Sequence, residues 1–168
     1  NHFYSYIYLF CDIMAFKTNQ FQQMNLFDPL YSMSERNKRF LQKSWANDFA
    51  NIVFPAINEE RFSVLYSTNT ATRPNTPVNV IVGALLIKEM FGHTDEELLE
   101  TLLFDIRYQY ALHTTGCDEQ PISDRTFSRF RERLLAYERE TGIDLLKQEM
   151  YALAEKFQEF LSISPSVK

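Results

Sequence analysis

The sequence predicts an all-α fold, organised as a compact multi-helix domain. Turn-rich all-β folds use more glycine and proline than the four Gly and six Pro of these 168 residues. Fifteen Phe and nine Tyr contribute to an apolar fraction of 45%, which is ample for a core. Apolar residues also recur at spacings of three and four, as in amphipathic helices. The length fits one domain, or one domain with an extension.

The first long helix is predicted over 34–54, and Pro55 is expected to end it. The apolar residues that share one of its faces are Leu41, Trp45, Phe49, Ile52 and Val53. A short helix is expected over 59–66, followed by a polar loop over 67–76.

A buried central helix is predicted next. Thr76 followed by Pro77 is a helix-start signal, and the run over 78–91 is apolar on nearly every side. Gly92 suits the left-handed residue that ends such a helix. Thr94 and Glu97 then form a capping box that begins another helix.

The segment over 121–142 predicts a capped helix with a row of arginines. Ser123 is the expected N-cap, and Gly142 the expected end. The apolar residues that share one face are Phe127, Phe130, Leu134 and Tyr137. The arginines that recur every four residues on a different face are Arg125, Arg129 and Arg133. Like charges at this spacing disfavour a helix, so the row indicates either an anionic partner or a solvated face paired with nearby acids.

A last helix is predicted from Asp144, with a short apolar seam. The seam residues are Leu146, Met150, Leu153, Phe157 and Phe160. Two interpretations stay open, namely docking on the chain's own core and a homodimer through 144–161. The expected core of the whole domain is Trp45, Phe49, Val82, Leu85, Leu86, Leu99, Leu102, Phe127 and Phe130.

Composition excludes several classes of protein. The net charge of −5 argues against general affinity for nucleic acid, so any DNA contact has to come from a local patch. Two distant cysteines without a Cys-x-x-Cys pattern predict no disulfide framework and fit a cytoplasmic location. The three histidines lack metal spacing, so neither a metal site nor a cofactor is expected. The aromatic start is too short for a membrane span, and no membrane association is expected.

The order of the segments resembles one protein family. The stretch over 65–116 combines an Arg-Pro pair, an apolar helix, a Thr-Asp-Glu-Glu helix start and a Phe-Asp-x-Arg segment. It is followed at 122–134 by a helix of the form Ser-Asp-x-Thr-x-x-x-Phe-Arg-x-x-Leu. This collinear set resembles the N-terminal domain of bacterial insertion-sequence transposases of the DDE type, specifically the InsH-like type. The resemblance covers about 24–160 and leaves residues 1–23 outside it.

The resemblance implies a domain organisation. Residues 1–23 are expected to be an extension outside the core, whose deletion leaves the melting temperature nearly unchanged. Residues 24–142 are the expected transposase N-terminal helical domain. Residues 143–168 are the expected C-terminal helix and the start of a linker to a catalytic domain that this chain lacks. The chain itself is therefore not expected to be an enzyme, and Mg²⁺ is expected only for that catalytic domain.

The resemblance also implies DNA as the partner, bound at the terminal inverted repeats of the transposon. The helices over 94–104, 105–115 and 123–140 are expected to form a helix-turn-helix-like unit, although its seven-residue connection over 116–122 is longer than usual. The predicted DNA-contacting residues are Arg73, Arg125, Ser128, Arg129 and Arg133. No catalytic residue is expected in this chain. The alternative functions are a helical interaction or dimerisation module of the transposase, and a stand-alone helix-turn-helix regulator.

Overall fold

The all-α prediction is confirmed by a computed structural model, which describes residues 14–19, 28–67, 73–117 and 120–163. The helices are α1 (Pro29–Ser32), α2 (Glu35–Gln42), α3 (Trp45–Asp48), α4 (Phe54–Ala56), α5 (Val78–Phe91), α6 (Asp95–Phe104), α7 (Ile106–Ala111), α8 (Asp124–Thr141) and α9 (Leu145–Ile163). A π-helical segment (Phe49–Val53) joins α3 to α4, and a 3₁₀ segment (Glu59–Leu65) follows α4. Two short strands, β1 (Met14–Ala15) and β2 (Arg73–Pro74), pair in parallel.

Helix α5 lies at the centre of the domain and is buried on nearly every side. It packs against α4, the 3₁₀ segment and α6. Gly83 allows a further contact, with Leu112 directly after α7, to be very close, because a Cβ at this position would lie 2.8 Å from Cδ2 of Leu112. Gly92 ends the helix in the left-handed region with φ of 68°, as its sequence position predicts.

The expected core is largely confirmed. Six of its residues are buried, namely Phe49, Val82, Leu85, Leu102, Phe127 and Phe130. The remaining three, Trp45, Leu86 and Leu99, are partly buried and pack against that core. The helical spacing therefore identified the inward faces correctly.

The single helix predicted over 34–54 is wrong, because the chain breaks at Ser44. The Ser44 hydroxyl and amide both donate to the carbonyl of Leu41, at 2.6 and 3.0 Å, and close a tight turn there. Ser44 itself is extended and precedes α3. Pro55 does not end the helix either. It sits in the first turn of α4, where its missing N–H is not needed, and the chain leaves the helix at Ile57.

Part of the expected N-terminal extension belongs to the domain. Residues 14–19 run beside β2, and Ala15 is only 1% exposed. The amide of Lys17 donates to Oδ1 of Asn75 at 2.7 Å, and the ring of Phe16 lies 5.8 Å from that of Tyr66. The placement of residues 1–23 outside the core is thus wrong for 14–19. The docking of 14–19 could not be predicted from the sequence, because its contacts are with segments that are distant along the chain. Residues 1–13 and 20–23 lie outside the described residues.

Helix α9 docks on the chain's own core, which continues past residue 142. Leu145 and Leu153 are buried in it, whereas Met150 of the predicted seam is 45% exposed. Glu149 lies between these two leucines at 1% exposure. Its carboxylate accepts from the amide of Asn58 at 2.8 Å and from Nε of Arg61 at 2.7 Å. The side chain of Phe160 and the linker expected after the helix lie outside the described side chains and residues.

We expect Glu149→Ala to lower the free energy of unfolding by about 1.5–3 kcal/mol, the range for hydrogen bonds to charged groups. The loss arises because Arg61 and the Asn58 amide are left without their acceptor. Urea denaturation followed by circular dichroism measures it. Glu155→Ala, at an exposed position of the same helix, is the control and is expected to change stability little. Equal stability of both variants would contradict the structural role of the buried carboxylate.

We expect a chain lacking residues 1–19 to melt several degrees below a chain lacking only 1–13. The difference isolates residues 14–19, whose loss exposes the surface under Ala15 and removes the Lys17–Asn75 hydrogen bond. In a domain of this size each kcal/mol corresponds to about 2–4 °C. Thermal denaturation measures both chains, and coincident melting curves would restore the interpretation of 14–19 as a detached extension.

Candidate nucleic-acid interface

Helix α8 begins and ends where its sequence predicts. The Ser123 hydroxyl accepts from the amide of Thr126, and the Thr126 side chain accepts from the amide of Ser123, which completes a capping box. Gly142 ends the helix with φ of 73°. Phe127 and Phe130 are fully buried, so one side of the helix is fixed against the core. The opposite side is therefore held facing solvent in a defined orientation.

The outer face of α8 is defined here by Arg125, Ser128, Arg129 and Glu132. It carries two cations that have no acid partner among the described residues. Arg125 and Ser128 are exposed, and Arg129 is half-buried. Within the part of the chain that the structure describes, neither Arg125 nor Arg129 forms an ion pair. Glu132 follows Arg129 by three residues and is exposed. This face presents guanidinium groups and a hydroxyl, all of which can bind phosphate oxygens.

Arg131, by contrast, is partly exposed but held by an ion pair to another helix. Its guanidinium makes a two-pronged ion pair with Asp95, with Nη2 at 2.7 Å from Oδ1 and Nη1 close to Oδ2. Lys88 approaches the same carboxylate at 3.1 Å. The hydrogen bond from Arg131 and the bond from Lys88 hold the pKa of Asp95 well below its usual range. This cluster joins α5, α6 and α8 and fixes the rotation of α8.

Arg133 differs from the other arginines of the predicted row. It is half-buried, and its guanidinium lies over the ring of Tyr66, 4.8 Å from the ring centroid. Burial raises the pKa of the Tyr66 hydroxyl, while the charge of Arg133 and its hydrogen bond to the phenol oppose that rise. Arg133 thus flanks the outer face of α8 and does not lie at its centre. The contact with Tyr66 therefore separates Arg133 from Arg125 and Arg129, although the four-residue spacing predicted one even row.

The remaining predicted site residue, Arg73, is placed by its backbone alone, since its side chain lies outside the described part. Arg73 pairs with Met14 in the β1–β2 ladder. Ala15, the next residue of β1, forms a bridge with Ser67, which directly follows Tyr66. The backbone of Arg73 therefore lies near the aromatic ring that carries Arg133. These contacts bring two parts of the predicted site, separated by sixty residues of sequence, into one neighbourhood.

The helix-turn-helix-like geometry differs from the expectation in its spacing. A single residue, Asp105, separates α6 from α7, and α7 ends at Ala111. The connection to α8 therefore spans 112–123, which is longer than the predicted 116–122. Helix α7 packs chiefly on α3, and also on α6 and the π-helical segment, whereas α6 is the helix of this unit that packs against α8. The docking of a recognition helix in this arrangement stays a prediction.

Two further findings concern chemistry other than nucleic-acid binding. Among the described residues, no group of three or more His, Cys, Asp or Glu side chains is arranged to hold a metal ion. His93 instead bonds the Tyr108 hydroxyl at 2.8 Å, and His113 bonds the Ala50 carbonyl at 2.9 Å. No described helix combines the length and the apolar character that crossing a membrane requires.

Sequence reasoning missed the residues that orient the arginines, namely Lys88, Asp95, Arg131 and Tyr66. The role of Asp95 has no local signal in the sequence, because its partner Arg131 is thirty-six residues away. The one signal in the sequence was the position of Arg131 beside the apolar residues Phe127 and Phe130, away from the row of Arg125 and Arg129.

The comparisons with known proteins identify the family of this chain. Residues 38–133, more than half of the chain, match the family model described as Transposase domain (DUF772). The chain belongs to this family of transposase domains. Neither the curated proteins nor the solved structures gave a match. The matched range of the transposase domain contains Arg73, the Asp95 cluster and all of the predicted DNA-contacting residues on α8.

We expect Asp95→Asn to lower the stability of this transposase domain by about 1 kcal/mol at neutral pH, the upper range for exposed ion pairs. The pKa of Asp95 is lowered in the folded state, so its contribution is complete above the unfolded pKa of about 4 and is lost as the pH falls below it. The stability difference between the wild type and the variant should therefore shrink in acid. Urea titrations at several pH values measure it, with the exposed neighbour Glu96→Gln as control. A difference that does not vary with pH would contradict the ion-pair explanation.

Proposed function

We propose that this chain is the DNA-binding N-terminal domain of an InsH-like insertion-sequence transposase, and that it recognises the transposon ends. Membership of the transposase-domain family supports a role in transposition. The observation that carries the DNA-binding role is the outer face of α8, where Arg125 and Arg129 face outward without an acid partner among the described residues.

Local energetics favour an anionic partner for this face. Arg125 and Arg129 are four residues apart, a spacing at which like charges disfavour the helix by roughly 0.2–0.5 kcal/mol. Arg125 is also in the first turn, near the positive end of the helix dipole. A phosphate backbone relieves both effects, because it supplies negative charge along the helix.

The two kinds of arginine on α8 have different roles under this proposal. Arg131 sets the orientation of the helix through Asp95. Arg125, Ser128 and Arg129 contact DNA, and Arg133 and Arg73 extend the contact towards the Tyr66 side of the domain. Phosphate contacts by these groups position the domain, and contacts with base edges in a groove would provide its sequence specificity.

The proposal assigns recognition, not catalysis, to this chain. The Asp-Asp-Glu site and the Mg²⁺ ions that it uses are expected in a separate catalytic domain of the transposase. The cytoplasmic location remains an expectation. The homodimer through 144–161 also remains a prediction, and the burial of Leu145 and Leu153 in the chain's own core leaves it only the outer side of α9.

We expect Arg125→Ala and Arg129→Ala each to weaken binding to a duplex that carries the terminal inverted repeat of the encoding element. A variant that loses a phosphate contact lowers the salt slope by about one, and a variant that loses a guanine contact costs about 1–3 kcal/mol at a single base position. Glu132→Gln is expected to tighten binding, because it removes a negative charge from the same face. Fluorescence anisotropy titrations at two salt concentrations measure all three.

Lys147→Ala provides the matched control, since it removes one exposed positive charge from α9 and leaves α8 intact. Its affinity should equal that of the wild type. If Arg125→Ala, Arg129→Ala and Glu132→Gln all bind like the control while remaining folded, the outer face of α8 does not bind DNA and the proposal fails.

A further inference from the structure

Helix α2 carries a second basic surface, separate from the arginine row of α8. Ser34 caps the helix by accepting from the amide of Asn37 at 3.3 Å. Leu41 is the one residue that the helix buries. The other side chains of α2 therefore lie at the surface of the domain, where they face solvent or a binding partner.

The cations of α2 lie on one line. Arg36, Arg39 and Lys43 follow one another at spacings of three and four, so they share the side of the helix opposite Leu41. All three are exposed, and Lys43 retains helical backbone angles as the C-cap. We call these three residues the α2 ridge. Their spacing along the axis gives a row of charge about one and a half to two turns long.

No acid neutralises the α2 ridge within the described residues. Glu35, the acid of this helix, pairs at 2.9 Å with Lys38, which points away from the ridge. Residues 35–43 hold four basic residues and one acid, or +3, in a chain whose net charge is −5. A polyanion would therefore be attracted to this place and repelled from most of the remaining surface.

An exposed aromatic ring adjoins the α2 ridge. Phe40 is 65% exposed, and the guanidinium of Arg36 lies 5.9 Å from its ring centroid. This contact restricts the Arg36 side chain and so lowers the entropy lost when the guanidinium binds. An exposed apolar ring beside cations can pack against the sugars of a nucleic-acid backbone while the cations bind its phosphates. Contact with sugars is more favourable for the ring than contact with bulk water.

The ridge has a fixed connection to the arginine helix. The carboxylate of Asp28, which caps α1, accepts from Oγ1 of Thr115 at 2.8 Å. Thr115 lies in the loop that leads into α8. The segment that precedes α2 is thus anchored to the connection between α7 and α8, so both basic surfaces belong to one packed unit.

We propose that the α2 ridge binds the sugar–phosphate backbone of duplex DNA as a second contact surface, distinct from the outer face of α8. This inference rests on the proposed DNA-binding function and adds a site that the arginine row does not include. Binding here requires no base sequence, because phosphate contacts carry no sequence information. The ridge would therefore raise affinity for any duplex equally.

The test is an anisotropy titration of the full chain against two duplexes of equal length, one with the terminal inverted repeat and one of scrambled sequence. The triple variant Arg36→Ala, Arg39→Ala, Lys43→Ala should lose affinity for both duplexes by the same factor, roughly ten-fold or more at low salt. Its salt slope should fall by about three, since each phosphate contact contributes roughly 0.9. Circular dichroism should be unchanged, because alanine favours the helix.

Two lysines of the same region provide a matched pair. Lys43→Ala should lower affinity and the salt slope, whereas Lys38→Ala should not, because Lys38 is paired with Glu35 away from the ridge. Equal effects of the two variants, or an unchanged salt slope for the triple variant, would overturn the proposal. Stronger binding to single strands of the same length would overturn the assignment to duplex DNA.

The same titration separates this inference from the proposed function. Loss of binding in the α2 variants with unchanged binding in Arg125→Ala and Arg129→Ala supports the ridge and refutes the role of α8. The reverse result supports α8 and refutes the ridge. A wild-type chain that binds neither duplex at any salt concentration refutes both.

Discussion

The burial of helix α5 determines how the other helices are arranged. Its sequence is apolar around the whole circumference, so every side of it has to be covered by another segment. Each side chain buried in this way contributes roughly 1.5–3 kcal/mol. Gly83 lets Leu112 approach closely enough to close one of these sides. The surrounding helices pack their apolar faces against α5 and against one another, so their charged faces remain exposed to solvent.

The charged groups divide into those that join helices and those that face solvent. Asp95 takes both Arg131 and Lys88, so one carboxylate holds together the three helices α5, α6 and α8. Arg133 joins α8 to the end of the 3₁₀ segment by a different contact, because its guanidinium lies over the ring of Tyr66. Among the described residues, Arg125 and Arg129 on α8 and the cations of the α2 ridge form no ion pair with another helix. A domain with a negative net charge can therefore present two localised basic surfaces.

Local signals made the helices predictable, and contacts between distant residues did not. The cap at Ser123, the box of Thr94 with Glu97 and the glycine at 92 all act within four residues of sequence, so they can be identified directly. The outward direction of Arg125 and Arg129 follows from the helical period. The contact of Arg133 with Tyr66 and the pairing of β1 with β2 depend on packing between segments. The break at Ser44 is a local turn closed on Leu41, which the apolar spacing on either side of it does not reveal. For the two contacts between segments, the sequence gives no local signal.

The contact of Glu149 with Asn58 and Arg61 has a consequence for the order of folding. It joins residues about ninety positions apart, so the entropy of closing a long loop has to be lost before it forms. Both donors belong to the turn around the 3₁₀ segment, and this turn has to form before its N–H groups can donate to the carboxylate. We therefore expect helix α9 to dock after the more local contacts have formed. Interactions that form after the transition state chiefly slow unfolding and leave the folding rate almost unaltered, so we expect loss of the Glu149 contact to speed unfolding more than it slows folding.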